Sequence, residues 1–142
     1  MAYDPDNLFA RIVRGEIPCI RVHEDEHTLA FMDIMPQADG HTLIVPKVAG
    51  ESLLDTPPAS LTAAILATQR VARAVRSAFD APGLVITQFN GAPAGQTVFH
   101  LHFHVIPVHG AGRWRAHARA KADPKVLEQH ASLIRAALAA AG

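Results

Sequence analysis

Apolar residues recur along the chain with two periods. Between residues 20 and 45, and again between 84 and 107, they alternate with polar ones or form short blocks, as strands require. Between 57 and 79, and from 124 onward, they recur at spacings of three and four, as one face of a helix requires. Residues 8–14 predict a short helix capped by Asp6 or Asn7 and stopped by Gly15. Ile17 precedes Pro18 and is extended for that reason. Residues 20–23 and 28–33 read as strands joined by an acidic turn at 24–27, and residues 41–45 as a third strand ended by Pro46. The loop at 35–40 is marked by Pro36 and Gly40. Strands this short and this close in sequence predict antiparallel pairing.

A short helical turn is expected at residues 52–54, then a long helix with Thr56-Pro57 as its cap and opening proline. Leu61, Ile65, Thr68, Ala72, Val75 and Phe79 form its apolar stripe, with Gln69, Arg70, Arg73 and Arg76 largely outside it. Residues 80–83 stop that helix, 84–89 form a fourth strand, and 90–95 a loop leading into a fifth. Asp123-Pro124 opens a C-terminal helix that buries Leu127, Ile134 and Leu138, while residues 109–121 read as a basic surface loop or arm. The predicted class is α+β: an antiparallel sheet of about five strands, one long helix, a short N-terminal helix and a C-terminal helix. Residues 1–142 are expected to form a single domain, with its core at 5–108 and the arm and last helix at 109–142.

The fifth strand carries the unusual chemistry. His100, His102 and His104 alternate with Leu101, Phe103 and Val105, so a regular strand projects the three imidazoles from one face and the apolar residues from the other. Histidine changes charge near neutral pH, which makes such a row a poor choice for a merely solvated face. Three explanations compete. A structural ladder would satisfy the rings with backbone and hydroxyl groups. A metal site suits imidazole, yet positions i and i+4 on a strand lie ~13 Å apart, so one ion cannot bind all three. Covalent catalysis would use a central imidazole as nucleophile and its neighbours to set tautomer and charge. The flanking Asn90, Gly91, Gly95, Gln96 and Thr97 favour the third, since amides, a hydroxyl and close-approaching backbone suit an oxyanion or phosphate.

Composition narrows the partners. Lys+Arg and Asp+Glu balance at 13 each, so no overall field points to nucleic acid or a membrane surface. One cysteine, Cys19, excludes an internal disulfide framework. The first residues have neither the basic nor the apolar region of a signal peptide, and no apolar run reaches the ~18 residues of a spanning helix. A soluble, cytoplasmic protein is expected.

At His100-Leu101-His102-Phe103-His104-Val105-Ile106 the sequence resembles the histidine-triad (HIT) family of nucleotide hydrolases and transferases, whose motif alternates three histidines with apolar residues. The likeness extends to Leu8-Phe9, to residues 14–18, to Leu29-Ala30-Phe31-Met32-Asp33-Ile34, to residues 40–47 and to residues 90–107. It covers most of the first 107 residues and is nearest to the Hint-like branch of small bacterial members. The resemblance implies a HIT-like fold and hydrolysis of purine nucleoside phosphoramidates or related nucleoside monophosphate conjugates, yielding an AMP-like product, without a cofactor. Cleavage of diadenosine polyphosphates is the alternative, and a nucleotide-binding regulatory protein with vestigial activity is another.

By the same resemblance His102 is the nucleophile, His104 contacts phosphate and leaving group, and His100 and His41 support the arrangement. Asp33 is expected to bind ribose and Ile34 to flank the base. Asn90, Gly95, Gln96 and Thr97 would hold phosphate and leaving group. A homodimer with sheets joined edge to edge is also implied; the arm with Arg113, Trp114, Arg115 and His117 either reaches an active site or, as the preferred reading, is a solvated basic loop with one anchoring aromatic. Some small bacterial members hold a structural zinc with two cysteines, a later histidine and the first triad histidine. Here the corresponding positions are Asn7, Ala10 and Ala49, which offer no thiolate or imidazole, so no zinc is expected. Cys19 lies outside that pattern and is expected to be a buried or half-buried thiol.

Overall fold

A computed structural model of the chain describes residues 2–110 and 120–141. The element order is α1 (Leu8–Val13), β1 (Arg21–Glu24), β2 (Thr28–Met32), β3 (Thr42–Pro46), α2 (Pro58–Ala78), β4 (Gly83–Thr87), β5 (Phe103–Val108) and α3 (Pro124–Ala140). The strands form one antiparallel sheet in the order β1-β2-β3-β5-β4, the α+β class read from the sequence. The arm residues Arg113, Trp114, Arg115 and His117 lie outside the described residues. No helix among those described is long and apolar enough to cross a membrane.

Local chemistry explains the elements. Asn7 caps α1 by accepting from the Ala10 amide at 2.9 Å. Asp25 shapes the β1–β2 turn, its Oδ1 accepting from the His27 and Thr28 amides and the Thr28 hydroxyl at 2.7–2.9 Å. Gly40 sits at φ +94°, and a Cβ there would lie 2.7 Å from the Phe79 ring, so only glycine fits under that side chain.

The sheet has two covered faces. Val22, Ala30, Met32, Ile44 and Val105 pack against Ala67, Val71, Ala74 and Val75 of α2 and Leu127, Ala131, Ile134 and Leu138 of α3. On the other face Leu29, Phe31, Leu43 and Val45 gather around Phe9 of α1, with half-buried Cys19 beside them. His104 pairs across β3 with Leu43 and across β4 with Thr87. Directly paired residues share a face, which puts His104 on the Phe9 side.

Three expectations are corrected. The α2 stripe is built on Ala64, Ala67, Thr68, Val71, Ala72, Ala74 and Val75, whereas Ile65 is 47% exposed. Small residues bring the helix close to the sheet, and that proximity decides the buried face more than side-chain hydrophobicity does. Thr56 does not cap α2; its buried hydroxyl donates backward to the Ser52 carbonyl at 2.7 Å, within a turn rather than a helical segment. The histidine segment is not one regular strand. The backbone bends at residues 98–100, the ladder begins only at Phe103, and so His104 alone of the three histidines lies within a strand.

Candidate active site

The three histidines are held by different partners, and each partner fixes a proton. The carbonyl of Pro46 can only accept, so His100 Nε2, 2.7 Å away, carries a hydrogen. His100 Nδ1 is then the acceptor for the Tyr3 hydroxyl at 2.6 Å. In His102 the order is reversed: Nδ1 lies 2.7 Å from the His100 carbonyl and donates to it. That leaves the lone pair on His102 Nε2, which has no partner among the described residues. No buried side-chain nitrogen or oxygen among them lacks a partner, so Nε2 opens to solvent although the residue as a whole is buried.

His104 is set from behind. The Gln37 amide donates to His41 Nδ1 at 3.0 Å, so the buried His41 ring carries its hydrogen on Nε2. That Nε2 lies 2.9 Å from His104 Nδ1, to which it donates, and 3.4 Å from Asp33 Oδ2. The remaining hydrogen of a neutral His104 therefore sits on Nε2. The rings of His102 and His104 are 5.1 Å apart, one offering a lone pair and the other a proton. Phe9 meets the His102 ring edge-on at 4.8 Å, and Phe89 meets His104 at 5.7 Å.

Asp33, His41 and His104 each bring one ligand-type atom within 4.8 Å of the others, a set that zinc accepts by residue type. The hydrogen bonds oppose that use. Coordination through His41 Nε2 would move its proton to Nδ1, facing the Gln37 N–H donor, whereas metal-bound histidines turn their second N–H toward an acceptor. The cluster is a hydrogen-bond relay by this geometry. Of the positions compared with zinc ligands, Asn7 is engaged in capping α1, the Ala10 methyl is buried in the core, and Ala49 is exposed.

Burial sets the electrostatics. Desolvation pulls His100, His102 and His104 below the ordinary histidine value, His104 to about 4 with the neighbouring His102 adding to the effect. Desolvation raises Asp33 to about 6, opposed by the Met35 amide that donates to its Oδ1 at 2.8 Å. At neutral pH the imidazoles of His100, His102 and His104 are uncharged, beside the carboxylate of Asp33.

The loop before the histidines is fastened by the residues singled out from the sequence. Gln96 is buried; its Oε1 accepts from the Gly91 amide at 2.8 Å, and its Nε2 donates to the Glu51 and Val98 carbonyls at 2.6 and 3.0 Å. Its amide ties the loop to the segment before α2. Asn90 Oδ1 accepts from the Leu53 amide at 2.9 Å and from Gln88 at 2.7 Å, and the residue is exposed. Gly95 adopts φ +115° with the Phe89 ring 3.4 Å from where a Cβ would stand. Thr97 is exposed, and its hydroxyl makes no hydrogen bond among the described residues. Ile34 is 46% exposed next to Asp33, leaving an apolar surface beside the carboxylate. Sequence reasoning missed Tyr3, Phe9, Phe89 and the Gln37 amide as neighbours of the imidazoles. Tyr3 lies 97 positions from His100, and no local spacing signals such a pair.

The chain is also similar to known proteins. The HIT domain model matches residues 14–111. The protein named hit from Bacillus subtilis is 40% identical over 116 residues, spanning 78% of this chain and 80% of that one. Arabidopsis thaliana adenylylsulfatase HINT3 is 37% identical over 102 residues, covering 72% of this chain and 52% of its own length. A crystal structure of a HIT-like protein from Bartonella henselae superposes with a TM-score of 0.91 at 47% identity, covering 96% of this chain and 99% of that one. The chain thus belongs to the histidine-triad family.

Proposed function

We propose that this protein is a nucleotide-binding hydrolase that cleaves purine nucleoside phosphoramidates or related nucleoside monophosphate conjugates through a nucleotidyl-His102 intermediate. The observation that carries the reading is the opposed protonation of His102 and His104. Nucleophilic attack needs a lone pair, departure of an amine needs a proton, and these are offered by two neighbouring rings whose centroids are 5.1 Å apart. His102 Nε2 bonds to the α-phosphorus as the phosphorus–nitrogen bond breaks, and the amine takes the Nε2 proton of His104, which the bound anionic substrate draws into its imidazolium form with a second hydrogen on Nδ1. The His41 Nε2 hydrogen then turns to Asp33 Oδ2, 3.4 Å from that nitrogen. His104 is left as a neutral ring, and the nucleotidylated His102 ring keeps its Nδ1 hydrogen and carries the positive charge. Water then gives a proton back to His104 Nε2 as its oxygen attacks phosphorus, and the lone pair returns to His102.

In this reading His100 and His41 hold the tautomers, Asp33 accepts from the ribose hydroxyls and Ile34 lies against the base. Gly95 and Thr97 face the phosphate and leaving group, with Asn90 and Gln96 shaping their loop. In this reading the protein is a homodimer joined along the edge that β4 forms in the described sheet.

His102→Ala should abolish turnover of an adenosine phosphoramidate and retain AMP binding by calorimetry; full activity in that variant would remove the mechanism. The similarity to an adenylylsulfatase favours a second substrate, adenosine phosphosulfate. Sulfate leaves without a proton, so His104→Ala should slow the phosphoramidate by about 100-fold or more and adenylyl sulfate far less. Steady-state kinetics on both, with diadenosine polyphosphate alongside, separate these substrates from the diadenosine alternative and from a regulatory protein with little turnover.

A further inference from the structure

We infer that Tyr3 is a positioning residue for the nucleophile: its hydroxyl locks the His100 tautomer, and the carbonyl of His100 in turn orients His102. The inference rests on the reading of His102 as nucleophile and goes beyond it by adding a residue outside the motif. His100 is 1% exposed, so its ring must find both partners within the protein. Pro46 takes the Nε2 hydrogen at 2.7 Å, and Tyr3 supplies the hydrogen that Nδ1 needs at 2.6 Å. The same residue's carbonyl receives the His102 Nδ1 hydrogen at 2.7 Å. Three short hydrogen bonds thus meet at the buried His100, and two of them link the N-terminal segment to the reacting ring.

Without the hydroxyl, His100 Nδ1 is a buried acceptor with no donor. Reorienting the ring to relieve it would break the contact with Pro46 and shift the backbone that holds His102. The segment is built to deliver the hydroxyl: Arg14 Nη1 donates to the Pro5 carbonyl at 2.5 Å and Asn7 Nδ2 to the Asp4 carbonyl at 2.7 Å. Burial raises the Tyr3 phenol, so the proton it donates stays in place. The ring also stands edge-on to His100, with centroids 5.8 Å apart.

The chain contains one tyrosine, which makes the test selective. In full-length protein labelled with ¹⁵N-histidine, His100 should show a bare Nδ1 and a protonated Nε2, and His102 the reverse. Tyr3→Phe should move His100 away from that single tautomer, speed solvent exchange of the His102 Nδ1 hydrogen, and lower kcat by about tenfold with KM unchanged within about twofold. Global replacement of tyrosine by 3-fluorotyrosine, a stronger donor of nearly the same shape, should shift the His100 Nδ1 resonance and leave that of His130 in place; this arm stands even if Tyr3→Phe fails to fold. A proton on His100 Nδ1 in the parent protein, or wild-type His102 exchange and kcat in Tyr3→Phe, would overturn the inference. If the parent protein shows no turnover, the proposed reaction fails, while the His102 exchange rate still decides the positioning.

Discussion

Asp33 and the histidines titrate in opposite senses. The folded state holds the Asp33 proton more tightly than the unfolded chain, its value being raised from 3.8 to about 6. Its contribution to stability is therefore greatest in acid and is lost as pH rises through about 6. The histidines lie below their ordinary 6.5, so the unfolded chain protonates first and their contribution is lost as pH falls below that value. Asp33→Asn removes a buried charge while keeping an oxygen for the Met35 amide. It should raise stability in urea at pH 8 by about 2 kcal/mol, since a shift of one unit corresponds to ~1.4 kcal/mol and the site is not fully dry. The same variant should raise KM for a ribonucleotide substrate, and it should abolish a rise in KM that the parent protein shows below about pH 6. A KM independent of pH between 5 and 7 in the parent protein would count against Asp33 as the ribose contact.

At the scale of elements, the sequence was most legible where a local pattern and the tertiary environment agree. Asn7 capped α1 as expected, and Leu127, Ile134 and Leu138 were buried on α3. The long helix buries Thr68, Ala72 and Val75 of its expected stripe, with Leu61 and Phe79 half-buried against the core, and only Ile65 falls outside: it outweighs Ala64 on any hydrophobicity scale, while the sheet lies against Ala64. Ile65→Ala should therefore cost less than about 1 kcal/mol, and Ala64→Leu, which forces three carbons into a fully buried position, about 3 kcal/mol by thermal or urea unfolding. A larger loss from Ile65→Ala than from Ala64→Leu would reverse the assignment of the face. The histidine segment shows a different limit. Period two in the sequence marked the right residues, and Leu101 and Phe103 do pack away from the imidazoles beside Ala64. The bend at residues 98–100 was invisible because it follows from long-range bonds, such as the Leu101 amide to the Gly50 carbonyl at 2.9 Å. That bend lets His102 reach back to the His100 carbonyl, a contact that the alternation of a regular strand would not suggest.

For the whole molecule, the sheet order leaves β4 as an edge next to the histidine-bearing β5, with Ile86 42% exposed on it. An unpaired edge carrying an apolar side chain invites pairing with a second chain. Light scattering should find a dimer, and Ile86→Lys should shift it toward monomer with unchanged secondary structure; a parent protein that stays monomeric at high concentration would exclude the edge-joined homodimer. The neutral state of the imidazoles has a consequence for selectivity in solution. A row of charged histidines would attract any phosphate or sulfate in the surroundings, and salt would weaken that attraction. Uncharged rings exert no such pull, so in the proposed reaction discrimination would fall to the nucleoside part of the ligand, through Asp33 and Ile34. KM for a neutral-pH assay should accordingly change less than about twofold between 50 and 500 mM salt, and millimolar inorganic phosphate should inhibit poorly where AMP inhibits well. His100, His102 and His104 would then act as a filter that ignores free anions and responds to phosphate only when a nucleoside carries it.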